Sequence, residues 1–390
     1  MHDMPHDAQR EVPHNTPHGG QREVPHGAPH VTQREVSPDL RRDDPASVFA
    51  GVRAQFDAAS RVAGGVVTRA CRVAGHRITL QFAGDALVEH LTRALAHVIA
   101  AAEDEEQVGT TSLTIRIWHR DSTRDVAPLL PAWWWRDSSM RGQPQAYHGG
   151  RFHTAVHADT LSMLDASAGE ACYFVGDRGA LGATEMGSPL LRILHWWMQR
   201  CGLQLVHGGA VGSKDGGVIL AGRGGAGKST SCLLSLGAGL DYVGDDYCLV
   251  GTDPDPVVHS LYCSGKVAAS DLDRFPFLAP ALVNRDRLTV EKAVFMPREV
   301  FPDHVSLGFP VRAVLVPRVV ATRATCVTPI SAADGLLALA PSTIFQLPGA
   351  GASALRTLGR LTSRVPSFRL DVGSDLAGVP RAIHNLLERL

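Results

Sequence analysis

The apolar run Gly217-Val218-Ile219-Leu220-Ala221 leads directly into Gly222-Arg223-Gly224-Gly225-Ala226-Gly227-Lys228-Ser229, and Thr230 to Leu236 then reads as a helix. Strand, glycine loop and helix in that order are the setting in which a G-x-x-x-x-G-K-[ST] pattern binds phosphate. Glycines let successive backbone N–H groups turn inward around an anion, and the helix N-terminus adds its partial positive charge. Lys228 is the side chain expected to reach the β and γ phosphates, and the Ser229 hydroxyl is the expected Mg2+ ligand. Gly222 to Thr230 form the expected nucleotide-binding stretch, in which Arg223 either contacts phosphate or faces solvent. A chance glycine turn would leave the strand before it and the helix after it unexplained.

Two nearby features carry matching chemistry. Tyr242-Val243-Gly244-Asp245-Asp246 ends a short apolar approach in paired carboxylates, seventeen residues beyond Lys228. Read as part of a strand, adjacent side chains point to opposite faces, so one carboxylate can hold Mg2+ while the other meets an incoming hydroxyl. Alone, Asp-Asp is more often a turn or helix cap; behind a phosphate loop the functional reading takes precedence. His207-Gly208-Gly209 follows Leu203, Leu205 and Val206, and His207 stands twenty-one residues before Lys228. A lone histidine at a strand end is usually structural, so its weight comes from its company.

These three motifs, within residues 207–246, resemble HPr kinase/phosphorylase, which also has a His-Gly ahead of its phosphate loop and an Asp-Asp after it. The resemblance implies an α/β fold, a P-loop kinase domain of the HPr kinase/phosphoenolpyruvate carboxykinase-like type, preceded by a mixed α+β N-terminal domain. It implies ATP and Mg2+ as cofactors and transfer of the γ-phosphate to a serine hydroxyl. By the same resemblance Lys228 and Ser229 bind phosphate and Mg2+, Asp245 is the base, Asp246 a metal or positioning ligand, and His207 a polar partner of the phosphate site. The family's downstream Glu-x-Arg-Gly-type signature is not found; the comparable region reads Ser260-Leu261-Tyr262-Cys263-Ser264-Gly265-Lys266. In that respect the chain looks more like the HPr-kinase-related proteins found beside peptide-tailoring enzymes, including lasso-peptide kinases that phosphorylate a serine of a precursor peptide. Lys266 is then a candidate contact for phosphate or substrate, against the plainer reading of a solvated lysine.

The rest of the chain divides by texture. Residues 1–44 repeat Gln-Arg-Glu-Val at Gln9, Gln21 and Gln33, with His2, His6, His14, His18, His26 and His30 mostly behind prolines. Proline disfavours helix and the segment has few large apolar residues, so a disordered or polyproline-like tail is expected. Weak zinc or nickel binding is the alternative. Residues 45–200 read as an N-terminal α+β domain of open role. Its expected strands are Gly65–Arg69, Arg77–Ala83, Leu113–Ile117 and Ala171–Val175. Its expected helices are one capped by Asp85 running through Ile99, and one starting at Ser188-Pro189. Trp133-Trp134-Trp135 reads first as packing and second as a ligand platform. Residues 201–390 are the expected catalytic domain. Its later part carries a strand over Val311–Val320, helices at Ser331–Leu339 and Ser353–Leu361, a strand at Ser367–Val372 and a closing helix from Pro380.

A formal net charge of −1 over 390 residues argues against a strongly electrostatic partner such as nucleic acid or an anionic membrane. Seven cysteines, scattered and odd in number, suit a reducing compartment in which most serve as small core residues. A cytoplasmic protein is expected, with homo-oligomerisation left open. The leading expectation is an ATP-dependent kinase acting on a serine of a peptide or protein. A small-molecule hydroxyl kinase and a nucleotide-binding regulator without phosphotransfer are the alternatives.

Overall fold

The computed structural model describes residues 44–103, 111–122, 145–157, 159–347 and 349–390. The histidine-rich repeat and Trp133–Trp135 lie outside the described residues. The stretch Asp43–Leu390 is one compact unit.

Its first layer begins with helix α1 (Pro45–Val62), whose start is set by the Asp44 side chain accepting from the Ala46 and Ser47 amides, with proline at the first helical position. Such a cap contributes about 1 kcal/mol. Seven strands follow: β1 (Val66–Val73), β2 (His76–Ala83), β3 (Ser112–His119), β4 (Gln145–Gly149), β5 (Phe152–His157), β6 (Thr160–Asp165) and β7 (Glu170–Val175). They form one sheet in the order β1-β2-β3-β7-β6-β5-β4. In β3, Leu113, Ile115 and Ile117 join one core, while Trp118 faces the other side, where Phe56 of α1 and Phe174 pack around it. That split follows from the period of two along a strand.

Helices α2 (Val88–Thr92) and α3 (Ala96–Glu103), with a 3-10 turn at Arg93–Leu95 between them, stand where one helix capped by Asp85 was expected. Asp85 is not the cap: α2 starts after Leu87, and no side chain satisfies its first amides. Leu87, Leu91, Leu95 and Val98 are buried all the same, because the hydrophobic face is kept across the break. The next helices are α4 (Ala183–Gly187) and α5 (Leu191–Arg200), and α5 begins three residues after Ser188. Ser188 therefore does not cap it; Leu190 does so, in the left-handed conformation.

The second sheet comprises β8 (Gln204–His207), β9 (Gly209–Ser213), β10 (Gly216–Leu220), β11 (Asp241–Gly244), β12 (Tyr247–Gly251), β13 (Val257–His259), β16 (Gly308–Val319), β17 (Cys326–Ile330) and β18 (Ser367–Val372). A separate small ladder joins β14 (Gly265–Val267) to β15 (Ala293–Phe295). Strand β16 runs parallel to both β10 and β18 and antiparallel to β13. Helices cover both faces. Val218 and Leu220 of β10 meet α6 (Lys228–Gly237) and α9 (Gly378–Leu387), whereas Ile219 meets α7 (Ala332–Gln346) and α8 (Gly351–Arg364). A strand buried on both sides reads as a continuous apolar run, as 217–221 does. The Ser331 cap is present, as a reciprocal capping box with Asp334.

The core of the first layer also takes in Leu205, Leu249, Leu261 and Leu347 from the second. Five of the seven cysteines are buried, Cys201 is half-buried and Cys326 exposed; all are free thiols. Among the described residues, no helix is long and apolar enough to cross a membrane.

One buried histidine ties the layers together. His97 Nε2 lies 2.7 Å from Ser260 Oγ, which donates to the Val243 carbonyl, so Nε2 must be the donor to Ser260. Its Nδ1 has no partner. Burial, with the nearby Arg298 charge, pulls the His97 pKa down to about 3. The folded value lies below the unfolded one, so the unfolded chain binds this proton first and stability falls as pH drops below about 6.5. Urea unfolding of His97→Gln should lose about 2 kcal/mol less than the wild type between pH 7 and pH 5; an equal loss in both would show that His97 is not the group responsible.

Candidate functional site

The loop after β10 turns through the left-handed region at Gly222, Gly225 and Gly227, with φ of 144°, 78° and 101°. L-residues avoid these angles, so the glycines are required by the path of the chain. Lys228 opens α6 and folds back over the loop, donating to the Gly222 carbonyl at 2.7 Å and the Arg223 carbonyl at 3.3 Å. Burial lowers its pKa, and the Asp246 charge opposes that shift. Gly224 to Thr230 line a cavity of about 820 Å³. Gly222 and Arg223 are not among its walls: their carbonyls hold Lys228, and the Arg223 side chain is exposed.

Asp245 and Asp246 sit in the turn between β11 and β12, one step beyond the strand on which the sequence places them. The turn still sends them to different partners. Asp245 is only 1% exposed. Its Oδ2 accepts from the Lys266 amide at 3.1 Å, and the Ser229 hydroxyl lies near enough to favour the ionised carboxylate. Burial first, then the Asp246 charge, pushes its pKa up to about 6. The Tyr242 hydroxyl stands 2.7 Å from the Ser264 carbonyl and 3.1 Å from Asp245 Oδ1, and one proton cannot serve both. The shorter contact is the one to the Ser264 carbonyl, which leaves Asp245 Oδ1 only weakly engaged.

Asp246 has a side chain 25% exposed and turns to the cavity. His207 Nε2 lies 3.2 Å from its Oδ1 and Lys266 Nζ 2.9 Å from its Oδ2. Burial works against its charge, but the Lys266 ammonium and the hydrogen bond to His207 outweigh it and hold the carboxyl well below the usual range. His207 is brought there by β8, which pairs His207 with Tyr247 across the ladder, and its amide donates to Thr343 Oγ1 at 3.2 Å. Lys266 is thus a partly buried ion-pair partner, not a solvated lysine.

The remaining walls include residues that the motifs do not reveal. Gly182 to Thr184 come from the start of α4, and Glu291 with Lys292, Tyr247 and Gln346 from three other places. Glu291 accepts from the Ala183 amide at 3.1 Å, and Arg287 pairs with Glu291 while donating to the Leu181 carbonyl at 2.8 Å. Tyr247 donates to Gln346 Oε1 at 2.9 Å.

The cavity suits a nucleotide triphosphate with Mg2+. Ser229 and Asp245 offer adjacent hard oxygen donors, and Mg2+ commonly takes one or two carboxylates together with phosphate oxygens. Among the described residues, no group of three or more His, Cys, Asp or Glu is arranged around a metal position.

No family model matches this chain. No curated protein matches it either. Among solved structures, it is similar to the Hpr(Ser) kinase/phosphatase from Coxiella burnetii, with 12% identity, a TM-score of 0.28, and coverage of 48% of this chain and 97% of that one.

Proposed function

We propose that this chain is an ATP- and Mg2+-dependent kinase that transfers the γ-phosphate to a serine hydroxyl of a peptide or protein. The observation that carries the reading is convergence: Lys228, Ser229, Asp245, Asp246, His207 and Lys266 all line, or bond to groups lining, one cavity. The cavity continues past the phosphate loop to Gly182–Thr184 and Gln346, which supports room for an acceptor beside the nucleotide.

The geometry favours exchanging the two aspartate roles that the motif suggests. Asp245, buried against the Ser229 hydroxyl, is the better Mg2+ ligand, and the bound ion would neutralise charge on the transferring phosphate. Asp246 faces the cavity and keeps lone pairs beyond those used by His207 and Lys266. It orients the acceptor hydroxyl and takes its proton as the new O–P bond forms and the bond to the leaving diphosphate oxygen breaks. Its depressed pKa makes it a weak base, which suits a loose transition state in which alignment supplies most of the rate. Lys228 leaves the loop carbonyls for the phosphates, and Lys266 has a donor to spare for a phosphoryl oxygen.

The test uses γ-labelled ATP, Mg2+ and a panel of serine-containing peptides, with products read by mass spectrometry. Phosphoserine is the expected product. Label on a small-molecule alcohol alone would move the reading to a metabolite kinase, and nucleotide binding with no transfer to any acceptor would move it to a regulator.

A further inference from the structure

We propose that Ser188, within the segment Gly187–Leu190, is a positioning residue for Lys266, so that the N-terminal layer builds part of the catalytic centre. This rests on the kinase reading above. Lys266 Nζ donates to Ser188 Oγ at 3.0 Å and to Asp246 Oδ2 at 2.9 Å. An ammonium group has three N–H donors, so two are committed and one is left for a ligand in the cavity that Lys266 lines. Without Ser188 the flexible stem would keep only one tether, and the direction of the third donor would be lost.

The segment is built to hold that hydroxyl still. The Ser264 hydroxyl donates to the Gly187 carbonyl and the Tyr262 hydroxyl to the Pro189 carbonyl at 2.9 Å. Ser188 and Leu190 are each 1% exposed. Leu190 is held at φ 58°, a conformation a leucine keeps only where its surroundings over-determine it, and such residues gather at functional sites. Gly187 is matched to the lysine stem: a Cβ there would lie 2.3 Å from Lys266 Cε and 3.2 Å from Nζ. Those atoms are the mobile end of a side chain, so Gly187→Ala should fold and push Lys266 aside.

The test compares Ser188→Ala, Ser188→Thr and Gly187→Ala, each alone and combined with Lys266→Met, in the full chain. Ser188→Ala should lower kcat about 10-fold and Gly187→Ala about 100-fold, with KM for ATP little changed, and Ser188→Thr should recover most of the rate. In the Lys266→Met background both effects should vanish, the signature of coupled residues. A readout free of turnover is amine acylation mapped by mass spectrometry: Lys266 should react several-fold faster in Ser188→Ala and Gly187→Ala. Equal kcat losses in both backgrounds, or unchanged Lys266 labelling in both variants, would overturn the proposal. If Ser188→Ala fails to fold, Gly187→Ala decides it. A wild type that phosphorylates nothing would strike the kinase reading instead, and the labelling would still decide where Lys266 is held.

Discussion

Lys228→Ala should leave a folded protein whose phosphotransfer rate is lower by about 100- to 1,000-fold, the usual loss when one preorganised charge is removed from a transition state. The ammonium stabilises charge that builds on the transferring phosphate, where surrounding water cannot screen it. Removing the side chain opens a path from the cavity that Lys228 lines to the Gly222 and Arg223 carbonyls, which water can then satisfy, so the fold should survive. Lys228→Arg should rescue little, since a planar guanidinium does not fit where a compact ammonium sits between two carbonyls. Initial rates with labelled ATP, beside a melting curve, check both halves. A rate within a few-fold of wild type would show that Lys228 is not at the transferring phosphate.

The second large effect separates the two aspartates. Asp246→Asn should lower kcat by about 100- to 10,000-fold, the range for loss of a general base, with the Mg2+ requirement little changed. Asp245→Asn should instead raise the Mg2+ concentration for half-maximal rate by about 10-fold or more, because a neutral amide is a poor partner for a hard cation. Rates measured across a Mg2+ titration for each variant distinguish the cases. The opposite pattern would restore Asp245 as the base, as the motif alone suggests.

What the sequence discloses depends on how far apart the interacting residues lie. The phosphate loop is legible because strand, glycines, lysine and helix are contiguous, and their physics is local. The start of α7 and the strands β2, β3, β7, β10 and β18 are legible for the same reason: capping, alternation and apolar runs act over a few residues, whereas α7 runs on to Gln346, past the expected Leu339. Strand β6 gives no such signal: every position in Thr-Leu-Ser-Met-Leu-Asp is buried, yet its Thr, Ser and Asp keep it from reading as the apolar run that marks β7 and β10. The break between α2 and α3 is equally silent, because the hydrophobic face passes through it intact. In the cavity, the aspartate pair can be found from its distance to Lys228, but not the different partners of its two members, the Lys266 amide for Asp245 and the side chains of His207 and Lys266 for Asp246. The bond from Lys266 to Ser188 spans 78 residues, and no local pattern announces it. Ser188-Pro189 reads as a helix start because that is what a serine before a proline most often is.

The common core of the two layers bears on inheritance. A crossover near residue 200, between one sheet and the next, would part Ile78, Leu80 and Ile115 from Leu205, Leu249 and Leu261, which pack with them. It would also part a lysine from the serine that holds it. Chimeras joined there should inherit mismatched surfaces from both parents, and a relative with a new acceptor should arise more readily by changing the cavity walls than by exchanging halves.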